Sequence, residues 1–366
     1  MSKSLLRWAP AVAAVVVVAG VAIAVPATAN ASVSLPDKTP TQVLELVASS
    51  TVTAFSGTVE ETSDLGLPSL PAGSAPSVSQ GGTAADLALL TGSNSLRVYV
   101  DGKSKARVQQ LESLAEKDVV RNGSDVWVYD SKDNSVAHST LTTRRPFARP
   151  GATAQGGDPV PSTQNPSDLT PSSIAKKLIA QLEKSSTLSV DAAVRVAGRP
   201  SYDLVLTPKA GDSLIGSVSI AVDAQTGLPL QVRVDARGQK TPAVSVGFSS
   251  LDLSTPSASL FSFTPPAGAK VTEVTKPGGG PVPQGEPATK PSTTVTGHGW
   301  DAVVSLESTG SLARLSKSAE FGELTTPATD GRVLHTSIVN ILFTTDGRIL
   351  AGSVSVARLE AVASAK

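Results

Sequence analysis

The stretch VSIAVDAQTGLPLQVRV, residues 218–234, alternates apolar and polar side chains on both sides of a turn sequence. Val218 and Ile220 stand at alternate positions before the turn, and Val232 and Val234 do so after it. Apolar residues at every second position favour a strand with one buried face, because successive side chains of a strand point to opposite faces. The stretch therefore predicts two antiparallel strands joined by a short turn.

The same two-residue period recurs along the chain, with turn signals about every ten residues. It is found at residues 95–102, 119–141, 202–206 and 244–248. Strands that follow one another after short turns pair in antiparallel fashion and leave one face polar and one apolar. The apolar face of such a meander needs a cover.

Two predicted helices can supply that cover. Thr39-Pro40 and Thr170-Pro171 each place an N-cap residue before a proline suited to the first helical position. Apolar stripes follow both starts. We therefore predict an α+β fold, in which a strongly curved antiparallel sheet, an incomplete β-barrel, is covered by helices.

The N-terminus has the pattern of a signal peptide. Lys3 and Arg7 precede an apolar run over residues 8–25, and the small-residue sequence ATANAS follows. We predict cleavage between Ala31 and Ser32. An uncleaved membrane anchor is the alternative, because 18 apolar residues stand at the lower limit for a spanning helix. Both interpretations place the rest of the chain outside the cytoplasm.

Changes of composition along the chain predict four segments. Pro- and Gly-rich stretches at 65–82 and 144–168 indicate long loops inside the main domain. The predicted segments are a signal peptide at 1–31, a half-barrel domain at 32–272, a Pro/Gly-rich linker at 273–296 and a small C-terminal α+β module at 297–366.

Composition excludes several classes of function. The chain has 31 basic and 31 acidic residues among 366, so no net positive charge points to nucleic acid. It has no cysteine, which excludes disulfides, thiolate metal sites, a cysteine nucleophile and a lipid on an N-terminal cysteine. The low charged fraction of 17% favours an extracytoplasmic β-rich protein. We predict no cofactor.

One motif suggests hydrolysis. GDSL, residues 211–214, is the name motif of a family of serine hydrolases and would make Ser213 a nucleophile. In that family the motif stands near the N-terminus, and an Asp-x-x-His sequence late in the chain supplies the base. Here the motif is in mid-chain, and neither His298 nor His335 has an aspartate three residues before it. We therefore interpret Ser213 as a remote alternative.

Other polar residues also lack the arrangement that metal binding or acid–base catalysis requires. Asp130, Asp133 and His138 could ligate a metal ion, but Asp133 stands in ordinary turn chemistry. Glu60 and Glu61 are adjacent in a predicted strand, so they point to opposite faces and cannot act as a carboxylate pair. We predict no catalytic and no metal-binding residues.

An apolar cavity is the remaining candidate site. Trp127 and Tyr129 share one face of their strand, and Val126 and Val128 share the other. Either face could be ordinary core or could line a cavity. The candidate lining residues are Leu44, Val47, Val98, Val100, Trp127, Tyr129, Leu178, Leu182, Leu204, Leu206, Val218, Ile220, Val232, Val234 and Phe248.

Five stretches in order along the chain resemble a known superfamily. They are TPTQVLELVASSTVTAFSGTVEET (39–62), RNGSDVWVYDSKDNSV (121–136), VAGRPSYDLVLTPK (196–209), VSIAVDAQTGLPLQVRV (218–234) and FSFTPPAGAKV (261–271). Together they resemble the LolA/LolB/LppX-like lipoprotein carriers, which include the MucB/RseB-type sigma-factor regulators. Further stretches resemble secreted actinobacterial LolA-like lipoprotein-sorting proteins. The resemblance implies a half-barrel whose cavity takes acyl chains or a hydrophobic peptide segment.

Three hypotheses of function follow. The first is a non-enzymatic carrier or sensor, secreted or tethered near a membrane surface, that binds an acyl chain or a lipoprotein and could work with an exporter. The second, implied by the resemblance to RseB-type proteins, is an envelope-stress regulator that binds a membrane anti-sigma factor. The third is a hydrolase that acts through Ser213.

Overall fold

The computed structural model describes residues 34–67, 92–111, 115–141, 183–274, 293–307 and 319–365. The predicted signal peptide and its cleavage site at Ala31 and Ser32 lie outside these ranges. So do most of the first predicted loop, the second loop, and the second predicted helix with Leu178 and Leu182.

The first described helix, α1 (Pro40–Ala48), begins as the sequence predicts. Thr39 is its N-cap: the Gln42 amide donates to Thr39 Oγ1 over 3.3 Å, and the Gln42 side chain accepts from the Thr39 amide over 2.8 Å. This reciprocal pair satisfies two backbone donors that a helix start leaves open. Val43 and Val47, one turn apart, are buried against the sheet.

A twelve-stranded sheet follows α1. Its strands are β1 (Ala54–Ser63), β2 (Gly92–Asp101), β3 (Lys105–Leu111), β4 (Glu116–Asn122), β5 (Asp125–Asp130), β6 (Ser135–Thr140), β7 (Ser186–Val196), β8 (Arg199–Pro208), β9 (Ile215–Asp223), β10 (Pro229–Ala236), β11 (Val244–Asp252) and β12 (Lys270–Glu273). The spatial order is β12-β6-β5-β4-β3-β2-β1-β11-β10-β9-β8-β7. Neighbours are antiparallel, except that β12 runs parallel to β6.

The sheet is strongly curved. β7 contacts β11 although β8, β9 and β10 lie between them. In a flat sheet these two strands would be ~19 Å apart, four spacings of neighbouring strands. β7 and β12 are nevertheless the two edges of the described sheet, so it stays open. The predicted fold class, a curved antiparallel sheet that forms an incomplete barrel, is confirmed.

One face of this sheet is lined with aliphatic side chains, and we call it the apolar face. Leu204, Ile220, Val232 and Val246 pair in one row across β8, β9, β10 and β11, and each is at most 7% exposed. The other face of the same strands carries polar groups such as Arg233. Burial alternates along β10 as the sequence predicts, whereas on β9 the polar face is also buried, at Ser219 for example.

The C-terminal residues form a second, six-stranded sheet. Its elements are β13 (Thr293–Thr296), β14 (Val303–Glu307), α2 (Ala319–Leu324), β15 (Thr326–Ala328), β16 (Gly331–His335), β17 (Asn340–Thr344), β18 (Arg348–Gly352) and α3 (Val356–Ser364). The order is β13-β14-β18-β17-β16-β15, and α3 packs against β17 and β18. The buried residues of this core include Val303, Leu342, Leu350 and Leu359.

Side-chain caps set two boundaries in this module. Between β16 and β17, the Thr336 side-chain oxygen accepts from the amides of Ile338 and Val339 and forms a turn. The last helix, α3, starts at Val356. Ser355 caps it by accepting from the Arg358 amide, a signal that precedes the apolar stripe.

The small sheet is attached to one end of the large sheet. Trp300 is buried in the large core, and its indole Nε1 donates to Ser186 Oγ over 2.8 Å. Leu214 donates its amide to Ser353 O over 2.8 Å, and Ser337 donates to Leu65 O over the same distance. These contacts gather where β1 ends and where β7 and β9 begin. The α1 helix and the β9–β10 turn lie at the other end.

Candidate functional site

The candidate residues on the apolar face include a closely packed group. Val98, Val100, Leu204, Leu206, Val218, Ile220, Val232, Val234 and Phe248 belong to one buried cluster, together with Val47 of α1, and Leu44 packs against it. Phe248 meets Phe55 edge to face, with ring centroids 5.8 Å apart. These side chains form the packed core of the large sheet. The more exposed part of the apolar face is therefore the candidate binding surface.

That more exposed part is a row of aliphatic residues across β2 to β6. Val98 pairs with Val108, Val108 with Val119, Val119 with Val128, and Val128 with Ala137. Directly paired residues point to the same face, so the row continues the apolar face away from the core. We call Val98, Val108, Val119 and Val128 the valine row.

Exposure rises along the valine row. Val98 is 4% exposed, Val108 and Val119 are half-buried, and Val128 is 43% exposed. Large apolar side chains at the surface are ordinary when scattered, but a continuous row indicates a contact surface. Of these four valines the sequence predicts only Val98 as a lining residue, because the alternation marks each strand separately and does not give the register between strands.

Trp127 and Tyr129 lie on the opposite face of the sheet. Trp127 pairs with His138, and their rings stack with centroids 3.8 Å apart. Phe263, in the segment that leads to β12, lies 5.6 Å from the Trp127 ring and 6.1 Å from that of Tyr129. The register therefore separates these two aromatic residues from the other candidates and puts Val128 on the face of Val98.

His138 contacts acidic residues of β12 and β5, and not Asp130 or Asp133, the aspartates with which it could have ligated a metal ion. Its Nδ1 is 2.9 Å from Glu273 of β12, and its Nε2 is 3.3 Å from Asp125 of β5. Burial lowers the pKa of His138, but the hydrogen bonds to Glu273 and Asp125 outweigh this and raise it above the usual value. Asp130 instead accepts from the Lys132 amide in the turn. Across the described ranges, no group of three or more acidic, His or Cys side chains is arranged to hold a metal ion.

Ser213 lies where the two sheets meet. It is 2% exposed, its hydroxyl accepts from the Ile215 amide over 3.2 Å, and its backbone bridges to Val354. A nucleophile has to reach its substrate and needs a base beside it. The position of Ser213 fits a structural role in the contact between the sheets.

Glu61 is a buried carboxyl on the apolar face, which sequence reasoning did not select. Its neighbour Glu60 pairs with Gly247 and Glu61 pairs with Val246, so the prediction that the two glutamates face opposite ways is confirmed. Glu61 is 2% exposed and accepts a hydrogen bond from Asn94 Nδ2. Phe55 and Val59 lie an even number of residues before Glu61, so the two-residue period of the strand places all three side chains on the same face.

Two surface depressions lie away from these residues. One of ≈ 520 Å³ is lined by residues of β15, β16 and α3, among them Val333 and Glu360. Another of ≈ 330 Å³ adjoins Arg199 and Asp223, which are tied by hydrogen bonds of 2.9 Å. Neither contains a residue that the sequence analysis selected. No described helix is long and apolar enough to cross a bilayer.

Comparisons with known proteins give similarities among solved structures. No family model matches the chain, and no curated protein does. The structure of the Pseudomonas aeruginosa MucA/MucB complex is similar at 17% identity, over 88% of this chain and 96% of that one, with a TM-score of 0.44. A LolA superfamily protein from Nitrosomonas europaea is similar at 11% identity, over 62% of this chain and 99% of that one, with a TM-score of 0.23. The sequence resembles these same two groups.

Proposed function

We propose that this chain is a non-enzymatic extracytoplasmic binding protein that holds the acyl chain of a lipid or lipoprotein along the valine row. The observation that carries the proposal is the continuity of the row. Four valines and an alanine, one from each of five neighbouring strands, make an apolar strip that runs from the core to the surface. The extracytoplasmic location rests on the N-terminal segment.

The dimensions of the strip suit an extended apolar chain. Five strands at ordinary spacing give it a length of ~19 Å. Sequestering a hydrocarbon chain from water gains about 0.8 kcal/mol for each buried CH₂ group and requires no catalytic side chain. The half-buried valines at the middle of the strip provide contact on one side of such a chain.

Two basic residues flank the strip at β4. Arg121 of β4 stands two positions from Val119 on the same face, and Lys117 stands two positions away in the other direction. Lys117 is exposed, and its long side chain can contact a polar group without entering the strip. Arg121 instead donates from Nε to Gly123 O. At β4 the strip is therefore one apolar residue wide, which favours a single chain over a broad apolar partner.

A pair of matched variants tests the proposal. Val128→Asp puts a charge in the strip, whereas Val271→Asp puts one at a similarly exposed valine, 48% against 43%, which pairs with Val136 of the opposite face. The probe is diphenylhexatriene, an apolar dye whose fluorescence rises when it is bound. We expect Val128→Asp to weaken its binding roughly tenfold or more, which corresponds to about 1.4 kcal/mol. Equal binding by the two variants would refute the proposal.

A regulator that binds a hydrophobic segment of a membrane anti-sigma factor is the alternative implied by the sequence resemblance. The valine row could also contact such a segment, because a strip of ~19 Å matches about six residues of extended peptide. Native mass spectrometry of the protein purified from its own host separates the two. Co-purified lipid removed by organic extraction supports the carrier, and a co-purified membrane protein with no lipid supports the regulator.

A further inference from the structure

A polar pair interrupts the aliphatic row that forms the core of the large sheet. Across β8, β9, β10 and β11 the row consists of Leu204, Ile220, Val232 and Val246. The next two positions, on β1 and β2, are Glu61 and Asn94. A carboxyl in such a row costs free energy of folding, so its presence calls for an explanation.

The hydrogen bonds of this pair are incomplete. Asn94 donates from Nδ2 to Glu61 Oε2. The other carboxyl oxygen, Oε1, is buried and has no hydrogen-bond partner. Nearly all buried polar atoms in folded proteins have a partner, so an atom without one calls for an explanation, such as a bound water, an ion or a functional role.

The surroundings of Glu61 make its carboxyl harder to ionise. Burial raises its pKa to about 7, against hydrogen bonds from Asn94 and Ser63 that lower it. The described residues facing it from β2 and β11 are Asn94, Leu96 and Val246, none of which titrates. Along its own strand, Glu60 points to the opposite face, and the exposed Asp64 accepts from Thr241.

The bond from Asn94 decides where the proton of neutral Glu61 resides. Oε2 accepts from Asn94, so it acts as the carbonyl oxygen of the acid. With the proton on Oε1, the Oε1–H group is a donor without an acceptor. A ligand that brings an oxygen acceptor to this point would remove the cost of that unpaired donor.

We propose that Glu61 and Asn94 form a polar subsite on the apolar face, in which Glu61 Oε1–H donates a hydrogen bond to the ester or amide carbonyl of a bound acyl lipid. This rests on the proposed function, because the chain attached to that carbonyl would continue towards the valine row. Asn94 and Val98 are four residues apart on β2, or about 13 Å. Leu96 lies between them on the same face, paired with Gln110 of β3.

Two ligands that differ in a single group test this subsite. Methyl laurate and tetradecane have chains of equal length, but only the ester has a carbonyl. Both are used to displace diphenylhexatriene from the full-length protein at pH 5.5 and at pH 8.5. The wild type should prefer the ester roughly tenfold at pH 5.5, the scale of one buried hydrogen bond. The preference should be lost at pH 8.5, where Glu61 is ionised.

Three variants assign the effect to Glu61. Glu61→Gln places an amide donor where the acid proton was, so it should prefer the ester at both pH values. Glu61→Leu should show no preference at either pH while binding tetradecane as well as the wild type does. Glu60→Gln, on the opposite face, should behave like the wild type. Far-ultraviolet circular dichroism and thermal unfolding confirm that each variant is folded.

The outcomes separate the subsite from the proposed function. An ester preference that persists in Glu61→Leu, or that does not change with pH in the wild type, would overturn the subsite while leaving acyl binding intact. Displacement by neither ligand would overturn both. A preference for dodecylammonium over both neutral ligands at pH 5.5 would also overturn it, since Glu61 would then be ionised and would accept rather than donate.

Discussion

Trp127 stacks on His138, with ring centroids 3.8 Å apart, on the face of the sheet opposite to the valine row. The hairpin of β5 and β6 therefore has two different surfaces. One is an aromatic cluster closed by Phe263, and the other carries the exposed Val128. Their roles can be separated by mutation.

Trp127→Ala should lower the stability of the protein without weakening the binding of an apolar ligand. The half-buried indole loses its contacts with His138 and Phe263, which should cost ~2 kcal/mol, below the range for a fully buried tryptophan. Urea unfolding measures the loss, and diphenylhexatriene titration measures binding at a temperature where the variant is folded. A weaker affinity with an intact fold would show that the aromatic face takes part in binding.

The individual strands and α1 could be predicted from the sequence because their signals are local. Residues 218–234 show the alternation and turn, and Thr39-Pro40 shows the capped start. The register between strands could not be predicted, since it depends on pairing between distant residues. The parallel pairing of β12 with β6 brings Glu273 to His138, which is 135 residues away in the sequence, and no local pattern predicts it.

The candidate site shows the same division. The sequence placed Val98 and Ile220 on an apolar face, but not the row that joins Val98 to Val128. The alternation also predicted correctly that Glu60 and Glu61 point to opposite faces of their strand. It did not indicate that Glu61 would be buried, because a glutamate in an alternating strand is normally on the solvent side.

Glu61 should make the protein less stable as the pH rises. Its pKa is about 7 in the folded protein, against 4.5 for the ordinary group, so the folded state holds its proton more tightly than the unfolded state does. Stability then falls between pH 4.5 and pH 7 and is constant above that range, with an upper limit of about 3 kcal/mol for the loss.

Glu61→Gln supplies the comparison. The variant should be more stable than the wild type at pH 8 and similar to it at pH 4, because the amide does not ionise. Urea unfolding across this range measures both proteins, with Glu60→Gln as the matched control. A constant difference at all pH values would contradict the assignment of the slope to Glu61.

His138 should hold β12 more firmly at low pH. Its pKa is raised in the folded protein, so protonation stabilises the fold below the ordinary pKa of 6.5, and this contribution is lost as the pH rises through the folded value. The interactions that protonation strengthens are those of His138 with Glu273 and Asp125. Hydrogen exchange of the Val274 amide, which donates to His138 O, reports the opening of this edge.

After correction for intrinsic exchange rates, protection at Val274 should decrease between pH 6 and pH 8 in the wild type. In His138→Gln it should be lower and independent of pH, because glutamine keeps a polar group but carries no charge. Amides in the centre of the sheet, such as that of Ile220, should not change. A pH-dependent loss in the variant as well would assign the effect to another group.

Trp300 should couple the small sheet to the large one. Its buried indole belongs to the large core, and it donates to Ser186 Oγ over 2.8 Å. Trp300→Ala should cost ~3 kcal/mol or more and should loosen the junction, because it leaves a cavity where the sheets meet. Trp300→Phe keeps most of the apolar contact and loses one hydrogen bond, so it should cost about 1 kcal/mol.

Differential scanning calorimetry should then show one transition for the wild type and Trp300→Phe, and two for Trp300→Ala. A single transition in Trp300→Ala would mean that the backbone bonds from Leu214 to Ser353 and from Ser337 to Leu65 are sufficient to couple the sheets.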